Sequence, residues 1–112
     1  MGIVIIGGIL MVSRTFQEKA KLVKYLLGKR SSILFHRKMM ISEDCGIYLG
    51  EKQLLDCLNY ALESCSEEHR LILEKDFISN GSKNWWNEYY SKSTYYRLKH
   101  RAMDEFLHCL EI

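Results

Sequence analysis

The sequence predicts an all-α fold, a small helical bundle. Three observations carry that expectation. The 112 residues contain no proline, the residue that most strongly breaks a helix. Apolar residues recur every three or four positions along much of the chain, which is the period of one helical face. Serines stand where several periodic stretches begin, as N-caps do. The length allows one domain with its own core but no second full one. The 47% apolar fraction is that of an ordinary globular protein.

Residues 1–12, MGIVIIGGILMV, are uncharged. They are too few to span a bilayer, which takes about 20 residues. They lack the basic start and small-residue cleavage site of a secretory signal and contain no G-x-G-x-x-G. The readings left are a buried strand or helix extension, a weak membrane or partner contact, and an artefact of start-site choice. Met11, ahead of Val12-Ser13-Arg14, would serve as a start. The last reading is preferred, and it leaves the segment no function of its own.

Residues 13–49 read as a basic helical region. Ser13 is placed to cap a helix from Arg14 to Leu27, with Gly28 as its stop and Phe16, Ala20, Val23 and Leu27 as its apolar stripe. Lys19, Lys21 and Lys24 lie off that stripe, and Lys29-Arg30 follow. They form either a solvated face or a phosphate-contacting one. Ser31 to Ile41 is an apolar-basic run assigned to helix. Its His36, between Phe35 and Arg37, suits a surface or packed position better than a ligand. Ser42 to Gly50 carries two glycines and reads as a loop. Glu51 to Cys65 is amphipathic, with Leu54, Leu55, Leu58, Ala61 and Leu62 on one side. Lys52, Asp56, Asn59 and Glu63 lie on the other. Ser66 then caps a further helix. Glu67 and Glu68 suit its positive end, and Leu71, Ile72, Phe77 and Ile78 are the residues it is expected to bury. Asn80-Gly81 signals a turn.

Four cysteines, at 45, 57, 65 and 109, form no C-x-x-C, and no histidine pair has metal-ligand spacing. The expectation is free thiols in a cytoplasmic protein, with no metal and no cofactor. The acidic residues Glu63, Glu67, Glu68 and Glu74 fit helix starts and solvated positions. With no nucleophile beside them, they are not read as catalytic carboxylates, and no enzyme activity is expected.

The net charge is only +2, but it is segregated. Residues 14–38 hold eight basic and one acidic side chain. Residues 43–76 hold nine acidic and three basic, residues 82–101 five basic and one acidic, and the acidic tail from Ala102 follows. Within the last basic block, an aromatic segment from Asn84 to Tyr90 runs into Ser91, a good N-cap. Tyr95, Leu98, Ala102, Phe106 and Cys109 then make one helical stripe. Ser93, Tyr96, Arg97, His100 and Asp104 make the opposite face, with Arg101 at its edge. Lys92, Arg97, Lys99 and Arg101 all lie in the first half of this helix. Its N-terminal half therefore suits phosphate and its C-terminal half does not, which is how a helix enters a DNA groove. The alternative is an ordinary amphipathic helix with a solvated face. Trp85, Trp86, Tyr89 and Tyr90 read mainly as core between helices, some half exposed, with stacking on unpaired bases as the other use.

The run S-K-S-T-Y-Y-R-L-K-H-R-A, Ser91 to Ala102, resembles the reading helix of region four of bacterial sigma factors. More closely still, the chain resembles phage late-transcription regulators of the autolysin-regulator (ArpU-like) type. That resemblance rests on Trp85, Trp86, Tyr90, Ser91, Ser93, Thr94, Tyr95, Tyr96, Arg97, Ala102, Glu105 and Phe106. The run L-N-Y-A-L-E-S-C-S-E-E-H-R-L-I-L upstream is similar to sigma region four as well. The resemblance implies that residues 50–112 form a C-terminal helix-turn-helix domain. One departure is plain. Such motifs carry a small residue and a glycine where this chain has Trp85-Trp86 and Tyr89-Tyr90, and large rings would widen or re-angle the helix pair.

These readings lead to a sequence-specific, double-stranded-DNA-binding transcription regulator without catalysis. Lys83, Lys92, Lys99 and Arg101 would hold phosphates, with backbone N–H groups at Ser91. Ser93, Thr94, Tyr96 and Arg97, with His100 on the same face, would meet the groove. Arg97 is the best single base reader, because a guanidinium grips guanine O6 and N7 together. A homodimer would add specificity. Two alternatives stay open. One is a protein-interaction module docking on RNA polymerase or another factor through its acidic central helices. The other is an RNA-binding accessory protein.

Overall fold

The structure, a computed structural model, describes residues 3–6, 9–12, 14–39, 45–79 and 81–110. From Phe16 onward every described element is helical: α1 (Phe16–Met39), α2 (Cys45–Ser64), α3 (Glu67–Leu73) and α4 (Lys92–Cys109). A single π turn, Glu74–Ile78, extends α3, and a 3-10 turn, Trp85–Glu88, precedes α4. The all-α expectation holds for this helical body, and ahead of it stands one short hairpin, a strand being among the readings of that segment. Strands β1 (Ile3–Ile6) and β2 (Ile9–Val12) pair antiparallel, Ile3 opposite Val12 and Ile6 opposite Ile9. Both strands are rich in isoleucine and valine, whose branched Cβ atoms favour extended backbone. Ser13, Ile41, residues 42–44 of the expected loop, Asn80 and Glu111 lie outside the described residues.

Helix α1 starts on a capping box, not on the expected serine. The Thr15 N–H donates to Glu18 Oε1 and the Glu18 N–H donates to Thr15 Oγ1, both at 3.2 Å. This satisfies two donors that a helix start leaves open. The bond from the Thr15 backbone, then its hydroxyl, hold the Glu18 carboxyl below its ordinary pKa. The box is therefore complete at neutral pH and weakens as acid protonates Glu18.

Gly28 does not stop α1; the helix runs through it to Met39. A glycine inside a helix costs about 0.5–1 kcal/mol relative to alanine, and contacts further along offset it. Ile33 is buried, and Arg30 Nε donates to Asn59 Oδ1 of α2 at 2.6 Å. A Cβ added at Gly28 would meet no heavy atom within 4 Å. Gly28→Ala is therefore expected to stabilise the protein by about 0.5–1 kcal/mol, read as a higher urea midpoint with an unchanged slope. Helix α2 likewise begins earlier than expected, at Cys45, and carries Gly46 and Gly50 inside it.

Helix α4 packs on α1, α2 and α3. Their common core holds Val23 and Leu27 from α1 and Leu58, Ala61 and Leu62 from α2. Cys65, Leu73 of α3 and Ala102, Met103, Phe106 and Leu107 of α4 complete it, whereas Leu71, expected to bury, points off this core and is exposed. Ser66 caps α3 as its sequence implies, accepting from the His69 N–H at 3.4 Å. The Ser66 N–H donates to Glu105 Oε1 at 2.6 Å, and Glu105 Oε2 lies 3.2 Å from His69 Nδ1. One α4 carboxylate thus holds the start of α3. Beside it, burial first and the Glu105 charge second push the Cys65 thiol up to about 12, so it stays protonated at neutral pH.

Candidate nucleic-acid interface

The first half of α4 is positioned from below by a polar cluster and an aromatic layer. Ser91 Oγ accepts from the Thr94 N–H at 3.3 Å and donates to Thr94 Oγ1 at 2.9 Å, which fixes the helix start. One turn in, Tyr95 is buried. Trp86 lies flat on it, ring centroids 4.5 Å apart and planes 9° from parallel. Trp85 meets it edge-on at 6.2 Å. Both geometries suit aromatic quadrupoles. Of the aromatic segment expected in the core, Trp85, Trp86 and Tyr90 are only half-buried and Tyr89 stands 70% exposed, so the segment flanks the core without entering it.

Asp76, in the π turn, joins these parts. Its Oδ1 accepts from Trp85 Nε1 at 2.7 Å, and its Oδ2 accepts from the Tyr95 hydroxyl. The Lys99 ammonium lies 3.3 Å from that same Oδ2 and donates to the Tyr95 hydroxyl at 3.3 Å. It also sits 5.1 Å from the Phe77 ring centroid and 5.6 Å from that of Tyr95, where a cation is attracted to the ring face. Burial first, then the hydrogen bond to Asp76 and its charge, push the Tyr95 pKa upward. The phenol stays a neutral donor, and the cluster ties the π turn and Trp85 to α4.

This arrangement divides the expected contact residues. Lys83, Lys92, Ser93, Tyr96, Arg97 and Arg101 are exposed, and Thr94 is half-buried at the cap. Lys99 turns inward instead, and His100 lies against α1 with its side chain still 43% exposed. Lys99 is held by Asp76 as above. His100 Nε2 lies 2.8 Å from Lys19 Nζ, and the imidazole meets the Phe16 ring edge-on at 5.6 Å. Lys19 in turn pairs with Asp104 at 2.7 Å, and Tyr96 meets Phe16 edge-on at 5.8 Å. The first turn of α1 therefore covers one edge of α4. Lys99 reads as a phosphate contact from its charge, and helical spacing puts His100 on the outward face because it places residues about their own axis only. It does not register a second helix laid against that axis.

What remains outward on the first half of α4 are Arg97 and Arg101 on one face, with Ser93, Tyr96 and, at the helix start, Lys92 spread around the rest of the exposed side. Among the described residues, Lys83, Lys92, Arg97 and Arg101 form no ion pair. In the earlier basic block, Lys19 is the residue that reaches α4. Lys21, Lys24 and Lys29 line a shallow groove on α1 with Tyr25.

Sequence reading missed Asp76 as the organiser, although a signal for it exists. Asp76 follows Ile72 by four positions, which puts a carboxylate on the buried stripe of its own helix. The T-x-x-E of Thr15 to Glu18 was legible too. Among the described residues, no group of three or more His, Cys, Asp or Glu side chains is placed to hold a metal ion. No helix among them is long and apolar enough to cross a membrane.

Fold and site together define a helical protein whose α4 is clamped on its inner side and carries, on its outer one, cations that form no ion pair among the described residues. In comparisons with protein families, curated proteins and solved structures, no match to this chain was found.

Proposed function

We propose that the protein is a sequence-specific DNA-binding transcription regulator with α4 as its reading helix and no catalytic step of its own. One observation carries this reading. Arg97 and Arg101, four residues apart on α4, are exposed and free of ion pairs among the described residues, while the helix beneath them is fixed through Asp76 and Tyr95. A helix already held in place suits base reading, because only the arginine side chains, and not the backbone beneath them, have to be ordered on binding. Arg97 reads guanine, Ser93 and Tyr96 meet neighbouring base edges, and Lys83, Lys92 and Arg101 hold phosphates. The resemblance to sigma region four and to ArpU-like regulators supports the same use of α4. In this reading α3 with its π turn takes the place of the helix before the turn, and Trp85–Glu88 belongs to the turn. A second copy supplies the other half-site, and the cytoplasm is the setting.

The test is fluorescence anisotropy with a duplex selected from a random pool, a scrambled duplex and a single strand. Arg97→Ala is expected to lose about 1–3 kcal/mol on the selected duplex and much less on the scrambled one. Equal loss on both would reduce Arg97 to a phosphate contact. Equal binding of the single strand would favour RNA. Binding to none of them, even at low salt, would end the reading and turn attention to the exposed Glu63, Glu67 and Glu68 as a surface for RNA polymerase or another factor.

A further inference from the structure

Beside the aromatic layer, a cleft of about 360 Å³ opens between the π turn, the segment around Ser82 and the first turns of α4. Its size falls within the range of small-ligand sites, about 300–1,000 Å³. Three lysines line it, Lys75, Lys83 and Lys99, against one carboxylate, Asp76. Both oxygens of that carboxylate are already engaged, by Trp85 on one side and by Tyr95 and Lys99 on the other. Lys75 and Lys83 are exposed and form no ion pair among the described residues. The cleft therefore holds an excess of positive charge that its own acid does not cancel. Trp86 and Tyr96 also line it, and rings so placed offer a face to a planar base.

We propose that this cleft binds the phosphate of a nucleotide unit, held by Lys75 and Lys83. An ammonium suits the ligand because it meets a phosphate oxygen as a point charge with several rotatable donors. The nucleotide comes either free or as one unit of the duplex backbone that α4 engages, and the chemistry at the cleft is the same in both. Only the second source rests on the DNA reading. Lys75 stands on the π turn, outside the contact set that the reading helix defines, so it reports on the cleft alone.

The experiment is calorimetric titration of the full chain with adenosine 5′-monophosphate and with adenosine, alongside the anisotropy salt series on duplex. The variants are Lys75→Gln, Lys75→Arg and, on the exposed side of α2 away from the cleft, Lys52→Gln. For a free nucleotide, the monophosphate binds and adenosine does not. Lys75→Gln then weakens binding by about tenfold, Lys75→Arg retains it, and Lys52→Gln leaves it unchanged. For a duplex-borne phosphate, the monophosphate is silent, and Lys75→Gln lowers the slope of log affinity against log salt by about 0.9. If Lys75→Gln changes neither titration, the proposal is overturned. Monophosphate binding by a protein that ignores duplex would keep the cleft and end the DNA reading. Duplex binding untouched by Lys75→Gln, with no monophosphate binding, would do the reverse.

Discussion

Asp76→Ala is expected to lower the unfolding free energy by about 3–5 kcal/mol, read from urea unfolding by linear extrapolation. The side chain of Asp76 is only 9% exposed, and that of Lys99 only 17%. Removing the carboxylate strands three donors together: the Lys99 ammonium, the Trp85 indole N–H and the Tyr95 hydroxyl. A buried donor without a partner costs about 1–3 kcal/mol, more when charged. Lys99→Met is expected to cost clearly less, because Asp76 keeps the Trp85 and Tyr95 donors. The double variant should then be less destabilised than the sum of the two singles, since it removes the stranded charge. Near-additive losses would mean that Asp76 and Lys99 do not act as a pair.

Phe106→Ala is expected to cost about 3–5 kcal/mol by the same measurement. Phe106 is fully buried, among core residues drawn from α1, α2, α3 and α4. Truncation loses the transfer energy of the ring and leaves a cavity that four helices cannot close without moving. The loss should appear in the midpoint with little change in slope, because one cooperative unit unfolds. Each variant removes a large share of the 5–15 kcal/mol that typically stabilises a domain. The two residues secure the same helix at different levels. Phe106 holds the second half of α4 in the core, and Asp76 holds the first half beneath its exposed arginines.

Much of α4 was legible from local rules. Ser91 and Ser66 cap their helices as read, because a cap depends only on a side chain and the next three residues. Of the α4 stripe, Tyr95, Ala102 and Phe106 are buried as spaced, and Leu98 and Cys109 are half-buried. Boundaries that depend on the rest of the molecule were not legible. Gly28 read as a stop because glycine favours helix ends, yet Ile33 and Arg30 gain partners that keep the helix going. Gly46 and Gly50 marked a loop on the same grounds and lie within α2. The candidate site divides the same way. The outward positions of Arg97 and Arg101 follow from the helix period. The inward turn of Lys99 and the packing of His100 against α1 needed Asp76, Phe16 and Lys19, which lie on other elements.

The account rests on the exposed first half of α4 as the surface that meets duplex DNA. Amide chemical shifts of the isotope-labelled chain, followed while a selected duplex is added, test that most directly. The largest changes are expected at Lys92, Ser93, Tyr96, Arg97 and Arg101, with core amides such as those of Leu58 and Phe106 nearly still. Shifts confined to the acidic residues of α2 and α3, or no shifts at all with saturating duplex, would contradict it.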